Sequence, residues 1–344
     1  MAEKVTSLQV AEKAGVSQSA VSRVFTPGAS VSKKTADKVR KAAEELGYRP
    51  NVLARAMVSG KSRIIGLVVA YLENHFYPEA LEIFSNTLQE QGYHVLVFMA
   101  SQTAGNIDKV MDEILDYQVD GIVMASVAMS SDIATRCQQA GVPIVLFNRS
   151  QDIEGISSVT SDNHAGGRQV AEFLIAGDHQ RIGYIAGWEG ASTQRDREAG
   201  FREALKEAGV ELFAREVGDF HTERARDAGR RMFDVSADQR PDAVFVANDH
   251  MALTVMDVIR FELGLRIPED VSVVGYDDVP PASWPAYNLT TMRQRANLMV
   301  AETVSALMEH INNPTTASPK RVAIDGPFIL RGSARLPEGW TPKG

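Results

Sequence analysis

Gln18, Ser19, Ser22 and Arg23 fall within six residues of one another, on what would be the exposed side of a short helix. An amide, two small hydroxyls and a guanidinium fork at that spacing suit base edges and phosphates in a DNA major groove. A second set of reactive side chains is scattered through the rest of the chain. Asn74, His75, Phe76 and Tyr77 follow an apolar run, and Arg149 closes another. Ser192, Thr193, Arg195 and Arg197 come after Tyr184-Ile185-Ala186, Phe220 follows Gly218-Asp219, and Asn248-Asp249 and Asp277-Asp278 end two later runs. Ligands of open parallel sheets gather beyond the carboxyl ends of strands. Forks and carboxylates there serve hydroxyl groups, and an aromatic face serves the apolar side of a sugar ring. The three arginines Arg149, Arg195 and Arg197 tilt this expectation toward a ligand bearing a carboxylate or phosphate. Blander roles stay open: Asp277 and Asp278 as turn caps, Phe76 and Tyr77 as a satellite core, Arg149 in a salt bridge with a neighbouring acid.

The elements that must position the first set are short. From Thr6 to Phe25, Leu8, Ala11, Val16, Val21 and Val24 are expected to share one small core across two helices. Gly15 supplies the positive φ that ends the first helix, and Ser17 offers a side-chain oxygen to cap the second. Ser32 caps a third helix with Thr35, Val39, Ala42, Ala43 and Leu46 inward, ending at Gly47, while Lys33, Lys34, Lys38, Arg40 and Lys41 face out. Thr6 and Ser17 join the candidate DNA contacts. Asn51 would cap a further helix of about two turns through Met57, too short to be stable alone in water. Such a segment can fold on meeting DNA. A three-helix protein-interaction module is the alternative reading of this head.

Beyond Lys61 the pattern changes. Apolar runs at 64–70, 95–99, 121–125 and 143–147 alternate with helical stretches at 79–91 and 107–117. A second series has strands near 181–186, 243–247 and 271–275 and helices near 166–175, 197–208, 224–233 and 251–263. This alternation predicts parallel sheets with helices on both faces, in two similar lobes.

The chain's net charge of -8 hides an asymmetry: residues 1–63 hold twelve Lys and Arg against five Asp and Glu, so a basic head sits on an acidic body. At 344 residues two or three domains are expected. Cys137 is the sole cysteine, which excludes a disulfide framework and a multi-cysteine zinc site. With no bilayer-length apolar run and no signal-peptide layout at Met1 to Thr6, the expected compartment is the cytoplasm.

VAEKAGVSQSAVSRVF, then VSKKTADKVRKAAEELGYRPN, then ARAM and the strand IIGLVV together closely resemble the LacI/GalR family of bacterial transcription regulators. The resemblance extends over nearly the entire chain. It implies a helix-turn-helix head at 1–49, a hinge helix and linker at 50–62, and a periplasmic-binding-protein-like effector core at 63–344. It further implies three crossings between lobes, near 149–161, 290–294 and Ile324, giving one lobe of about 63–160 plus 293–322 and another of 161–292 plus 323–344. By the same resemblance Gln18 and Ser19 read bases with Arg23 further along, and Ala54 lets the hinge lie close to the minor groove. Met57 stands where the family has an intercalating leucine. Arg197 and Asp277 would clasp the effector, Asn248 would bind a hydroxyl, and Phe76, Tyr77 and Phe220 would form the wall.

The expected protein is a repressor acting as a homodimer on near-palindromic double-stranded operator DNA, released by a small sugar-like or acidic effector, with no cofactor, metal or membrane partner. No leucine heptad follows the terminal ILRGS, hence a dimer and not a tetramer. A sugar-binding transport protein would share the core but lack the basic head. An enzyme finds no support in a phosphate-loop, H-E-x-x-H or G-x-S-x-G motif.

Overall fold

Three short helices open the chain: α1 (Ser7–Ala14), α2 (Gln18–Val24) and α3 (Lys33–Leu46). The computed structural model describes residues 5–26, 29–49, 61–100, 106–127 and 130–340. Asn51, Ala54 and Met57 therefore lie outside the described residues. The chain divides into two compact units, Met1–Arg63 and Ile64–Gly344.

In the first unit the caps fall where the side chains dictate. Thr6 and Gln9 form a reciprocal capping box, Ser17 and Ser32 accept from Ala20 N and Thr35 N, and Gly15 and Gly47 close α1 and α3 in the left-handed region at φ 66°. Val10, Ala11, Val21, Val39, Ala42 and Ala43 make the core. Leu8, expected there, is 53% exposed, because α1 turns Val10, Ala11 and the half-buried Ala14 inward and leaves Leu8 beside that stripe.

The second unit holds two six-stranded sheets. The first uses β1 (Ile64–Val69), β2 (His94–Met99), β3 (Gly121–Ala125), β4 (Ile144–Phe147), β5 (Ser157–Ser161) and β11 (Arg321–Ile324), in the order β11-β5-β4-β3-β1-β2. All of its pairings are parallel. The second uses β6 (Ile182–Ala186), β7 (Ala214–Val217), β8 (Ala243–Val246), β9 (Ser272–Asp277), β10 (Thr290–Arg293) and β12 (Phe328–Ile329), in the order β12-β10-β9-β8-β6-β7. Only β12 runs antiparallel there. Strands such as β3, β4, β6 and β8 are buried throughout, as expected of parallel sheets covered on both faces.

The covering helices are α4 (Phe76–Glu90), α5 (Asn106–Asp116), α6 (Ser131–Gln139) and α11 (Ala296–Asn312) for the first sheet. For the second they are α7 (Asn163–Ala176), α8 (Ser192–Glu207), α9 (Thr222–Phe233) and α10 (Asp249–Asp257), the last running into a π-helical turn at Val258–Glu262. The backbone passes between sheets after β5, after β10 and after β11. Because β11 pairs with β5 through Ile324, the first sheet extends past the division expected between 322 and 323.

Several helices start earlier than the sequence suggests, and for two of them this moves candidate site residues into the helix. α4 begins at Phe76, so Phe76 and Tyr77 are helical and not in a loop; α8 begins at Ser192, so Ser192, Thr193, Arg195 and Arg197 all ride its first two turns. His75 and Ala191 occupy the cap positions without side-chain cap bonds, so neither start carries the usual Ser, Thr, Asp or Asn signal.

Candidate functional site

On the small unit, α2 presents Gln18, Ser19, Ser22 and Arg23 to solvent. They are already held in place. Gln18 Nε2 donates to Ser7 Oγ at 2.9 Å, the Ser17 and Ser19 hydroxyls are 2.9 Å apart, and Arg23 Nε donates to the Ser19 carbonyl at 3.4 Å. Thr6 and Ser17 act as caps at the starts of α1 and α2. A capped second helix with an exposed polar face is the geometry that enters a major groove.

In the larger unit the strand ends of both sheets converge on a set of buried polar groups. Arg197, on α8, donates from Nε to Asn163 Oδ1 at 2.8 Å and from Nη1 to the Ala247 carbonyl at 2.6 Å. Its Nη2 lies 3.5 Å from Asp277 Oδ1, and its guanidinium covers the Tyr276 ring at 3.6 Å. Asp277, at the end of β9, also accepts from Asn74 Nδ2 at 3.0 Å and Gln294 Nε2 at 2.7 Å. Asn74 belongs to the first lobe, so this bond spans the lobes. Burial pushes the Asp277 carboxyl above its ordinary range, opposed by Arg197 and by the amide bonds of Asn74 and Gln294. Asp249 is pushed well above its range by burial and by the neighbouring Asp277 charge.

A second bridge joins the lobes at Arg149. This residue follows β4, and its Nη1 donates to Thr193 Oγ1 at 2.6 Å and to the Asn148 carbonyl at 3.1 Å. Beside it, Ser150 N donates to Ser192 Oγ at 2.9 Å. The guanidinium carbon stands 5.9 Å from the Phe220 ring centroid. Asn148 Nδ2 reaches the Tyr77 hydroxyl at 3.2 Å, and Tyr77 packs edge-on against Tyr71 and Phe76. A cavity of about 210 Å³ opens here between Val127, Arg149, Trp188, Gly190, Ser192 and Arg195.

Several groups in this region hold no hydrogen-bond partner among the described residues: Ser126 Oγ, Asn148 Oδ1, Arg149 Nε and Nη2, and Gln294 Oε1. Buried polar atoms are ordinarily satisfied, so these call for a partner from outside the described residues, water or a small molecule. Arg149, Thr193 and Phe220 thus meet in one place, as do Arg197 and Asp277. Arg195 is exposed and donates to the Gly190 carbonyl, so it stands apart from the buried network and shares with Arg149 only the lining of the cavity. Asn248 is buried, but its side-chain oxygen caps α10 through Met251 N. Sequence reasoning missed Asn163, Gln294, Ser126 and Trp188. The first two lie next to lobe crossings, where a polar residue signals contact with both lobes only once the crossing is located.

No group of three or more His, Cys, Asp or Glu fit to hold a metal occurs among the described residues, and no helix there is long and apolar enough to cross a membrane.

Comparison with known proteins bears on both units. The model of the lacI family of bacterial regulatory proteins matches residues 8–51, and that of a periplasmic binding protein-like domain matches residues 170–334. The HTH-type transcriptional regulator CelR of Thermobifida fusca is 34% identical over 335 residues, covering 94% of this chain and 96% of that protein. A solved CelR–cellobiose complex superposes with a TM-score of 0.73 at 32% identity, covering 96% of this chain and all of the other. The lac repressor dimer bound to operator and the anti-inducer ONPF superposes with a TM-score of 0.85 at 29% identity, covering 96% and 99%.

Proposed function

The chain belongs to the lacI family of bacterial regulatory proteins, and from that membership we propose that it is a transcriptional repressor whose operator affinity is set by a small molecule held between its lobes. The observation that carries this reading is the buried polar network spanning the lobes, Asn74 to Asp277 and Arg149 to Thr193, with unpartnered donors and acceptors beside it. A ligand that supplies those partners favours one lobe angle over another by its differential contacts. The change is passed through residues 50–60 to the DNA-binding helices, and linkage makes the coupling reciprocal. Relatives bound to cellobiose and to operator DNA support a sugar-like effector and a duplex target. We assign base reading to Gln18, Ser19, Ser22 and Arg23, and the effector wall to Phe76, Tyr77 and Phe220. Asp277, Arg197 and Arg149 grip its polar side.

The working form is a homodimer, whose two-fold axis calls for a near-palindromic operator. Edge strand β2 supports this, since it leaves Val97 and Met99 exposed with Tyr117 nearby, and an uncovered apolar edge invites pairing. The protein works beside the chromosome, in the cytoplasm, and catalyses nothing. Duplex selected from a random library by the full chain tests the reading. A two-fold symmetric consensus is expected, and unrelated sequences bound with equal affinity would overturn it.

A further inference from the structure

The polar edge formed by Arg149 Nε and Nη2 is buried and unpartnered among the described residues, whereas Nη1 is fully used by Thr193 and Asn148. Nε and Nη2 point the same way, as a fork. Three arginines elsewhere in this molecule close that fork on a single carboxylate, whereas Arg181 spends it on the Arg240 and Ala237 carbonyls. Arg215 closes it on Glu198 at 2.8 and 2.9 Å, Arg230 on Glu262 at 2.6 and 3.2 Å, and Arg266 on Asp270 at 2.9 and 2.6 Å. In each case two carboxylate oxygens receive two parallel N–H groups, the bidentate match that makes these bonds strong.

Among the described residues, neither of the two carboxylates nearest this cavity and buried network is free to do this for Arg149. Both oxygens of Asp277, the buried acid nearby, are occupied by Asn74, Gln294 and Arg197. Asp152, at the rim of the same cavity, is almost fully exposed and paired with Arg321 at 2.7 Å. A neutral hydroxyl can accept a hydrogen bond from the fork but brings no charge of its own, which makes it the weaker partner at a site only 4% exposed.

A second feature favours negative charge at the same cavity. Helix α8, sixteen residues long, starts there with Ala191 in the cap position and no side-chain cap, and Gly190, Ser192 and Arg195 line the space. The first turn of a helix has backbone N–H groups without helical partners and the positive end of the helix dipole, both attractive to an anion. The cavity, about 210 Å³ with Trp188 on one side, is below the roughly 300–1,000 Å³ usual for ligand pockets, which fits a compact molecule.

We propose that the effector is a sugar acid, with its carboxylate seated bidentately on the Nε and Nη2 edge of Arg149 near the start of α8 and its ring against Trp188. This rests on the reading of the interlobe cleft as the effector site. The test is calorimetric titration of the full chain with D-glucuronate, D-galacturonate and D-gluconate, beside D-glucose, D-galactose and glucose 6-phosphate. At least one acid binds on the order of 10- to 100-fold more tightly than its neutral counterpart, as expected for hydrogen bonds to a charged partner. Arg149→Gln removes that preference, and Arg149→Lys restores part of it.

Failure of all three acids to bind at millimolar concentration overturns the proposal. So does a neutral sugar binding as tightly as its acid, a preference for the phosphate over every carboxylate, or an acid preference that survives in Arg149→Gln. The comparison within the wild-type chain needs no variant to fold. A neutral sugar that binds and changes DNA affinity would leave the regulatory reading standing while removing this one.

Discussion

Arg197 has each of its guanidinium nitrogens engaged, by Asn163, the Ala247 carbonyl and Asp277, so it holds the second lobe's strand ends together. Removing Asp277 strands that buried charge, a change that costs about 3–5 kcal/mol in comparable pairs. Asp277→Ala is therefore expected to lose stability in urea unfolding by about that amount. The near-isosteric Asp277→Asn keeps the shape but not the charge opposite Arg197, so it loses a smaller part of that stability, stays folded, and loses the ligand response while keeping DNA binding. A full ligand response in Asp277→Asn would remove Asp277 from the site. His179 gives a pH prediction of a different kind. Its buried ring faces Arg335, Asp242 and Asp178, and burial first, then the Arg335 charge, lowers its pKa to about 4. The neutral ring is native, so the unfolded chain takes up the proton first as pH falls below about 6.5. Stability is fully present above that value and declines toward pH 4, and His179→Gln should flatten the decline in melts between pH 7 and 5. Neither His179 nor the fork of Arg149 was legible as such in the sequence. A histidine between Asp178 and Gln180 reads as surface, and only the fold shows which arginine edges are left open.

At the scale of elements, two glycines decide where Arg197 sits. A Cβ on Gly167 would lie 2.0 Å from the Arg197 carbonyl oxygen, and one on Gly200 would lie 2.0 Å from that of His164. Helices α7 and α8 thus touch backbone to backbone, which only glycine permits. Gly200→Ala forces them apart and should lower the melting temperature and weaken ligand binding together. An unchanged melt would show that the helix contact is soft. In the small unit, Ser17→Ala removes the α2 cap and is expected to cost about 1 kcal/mol, seen as weaker operator binding with the core melt unchanged. These caps were readable in advance because Ser17, Ser32, Gly15 and Gly47 each have one local job. The starts of α4 and α8 were not, since His75 and Ala191 cap nothing by side chain. β5, β7, β10, β11 and β12 were missed too: five residues or fewer at a sheet edge or lobe crossing give periodicity little to act on.

For the whole molecule, the alternation of apolar runs and helical stretches foretold two parallel-sheet lobes, because strands buried on both faces must be apolar throughout. The closure of each lobe depends on returning chain, β11 joining Arg321 to Ser158 of β5 and β12 joining Ile329 to Thr291 of β10, pairings that no local pattern encodes. Dimerisation belongs to this scale. Met99, 48% exposed on edge strand β2, is expected to lie at the interface, so Met99→Lys should shift the chain toward monomer in sedimentation and weaken operator binding. Met57, outside the described residues, carries the remaining link: Met57→Ala should weaken specific but not nonspecific DNA binding, and equal loss in both would count against a wedge.

The claim on which everything else depends is that the cleft controls the DNA-binding helices. Fluorescence anisotropy of library-selected operator, titrated with the full chain with and without a ligand that raises its melting temperature, addresses it directly. The account predicts at least a tenfold rise in operator Kd at saturating ligand in the wild type and none in Asp277→Asn. An operator Kd that saturating ligand leaves unchanged would contradict it.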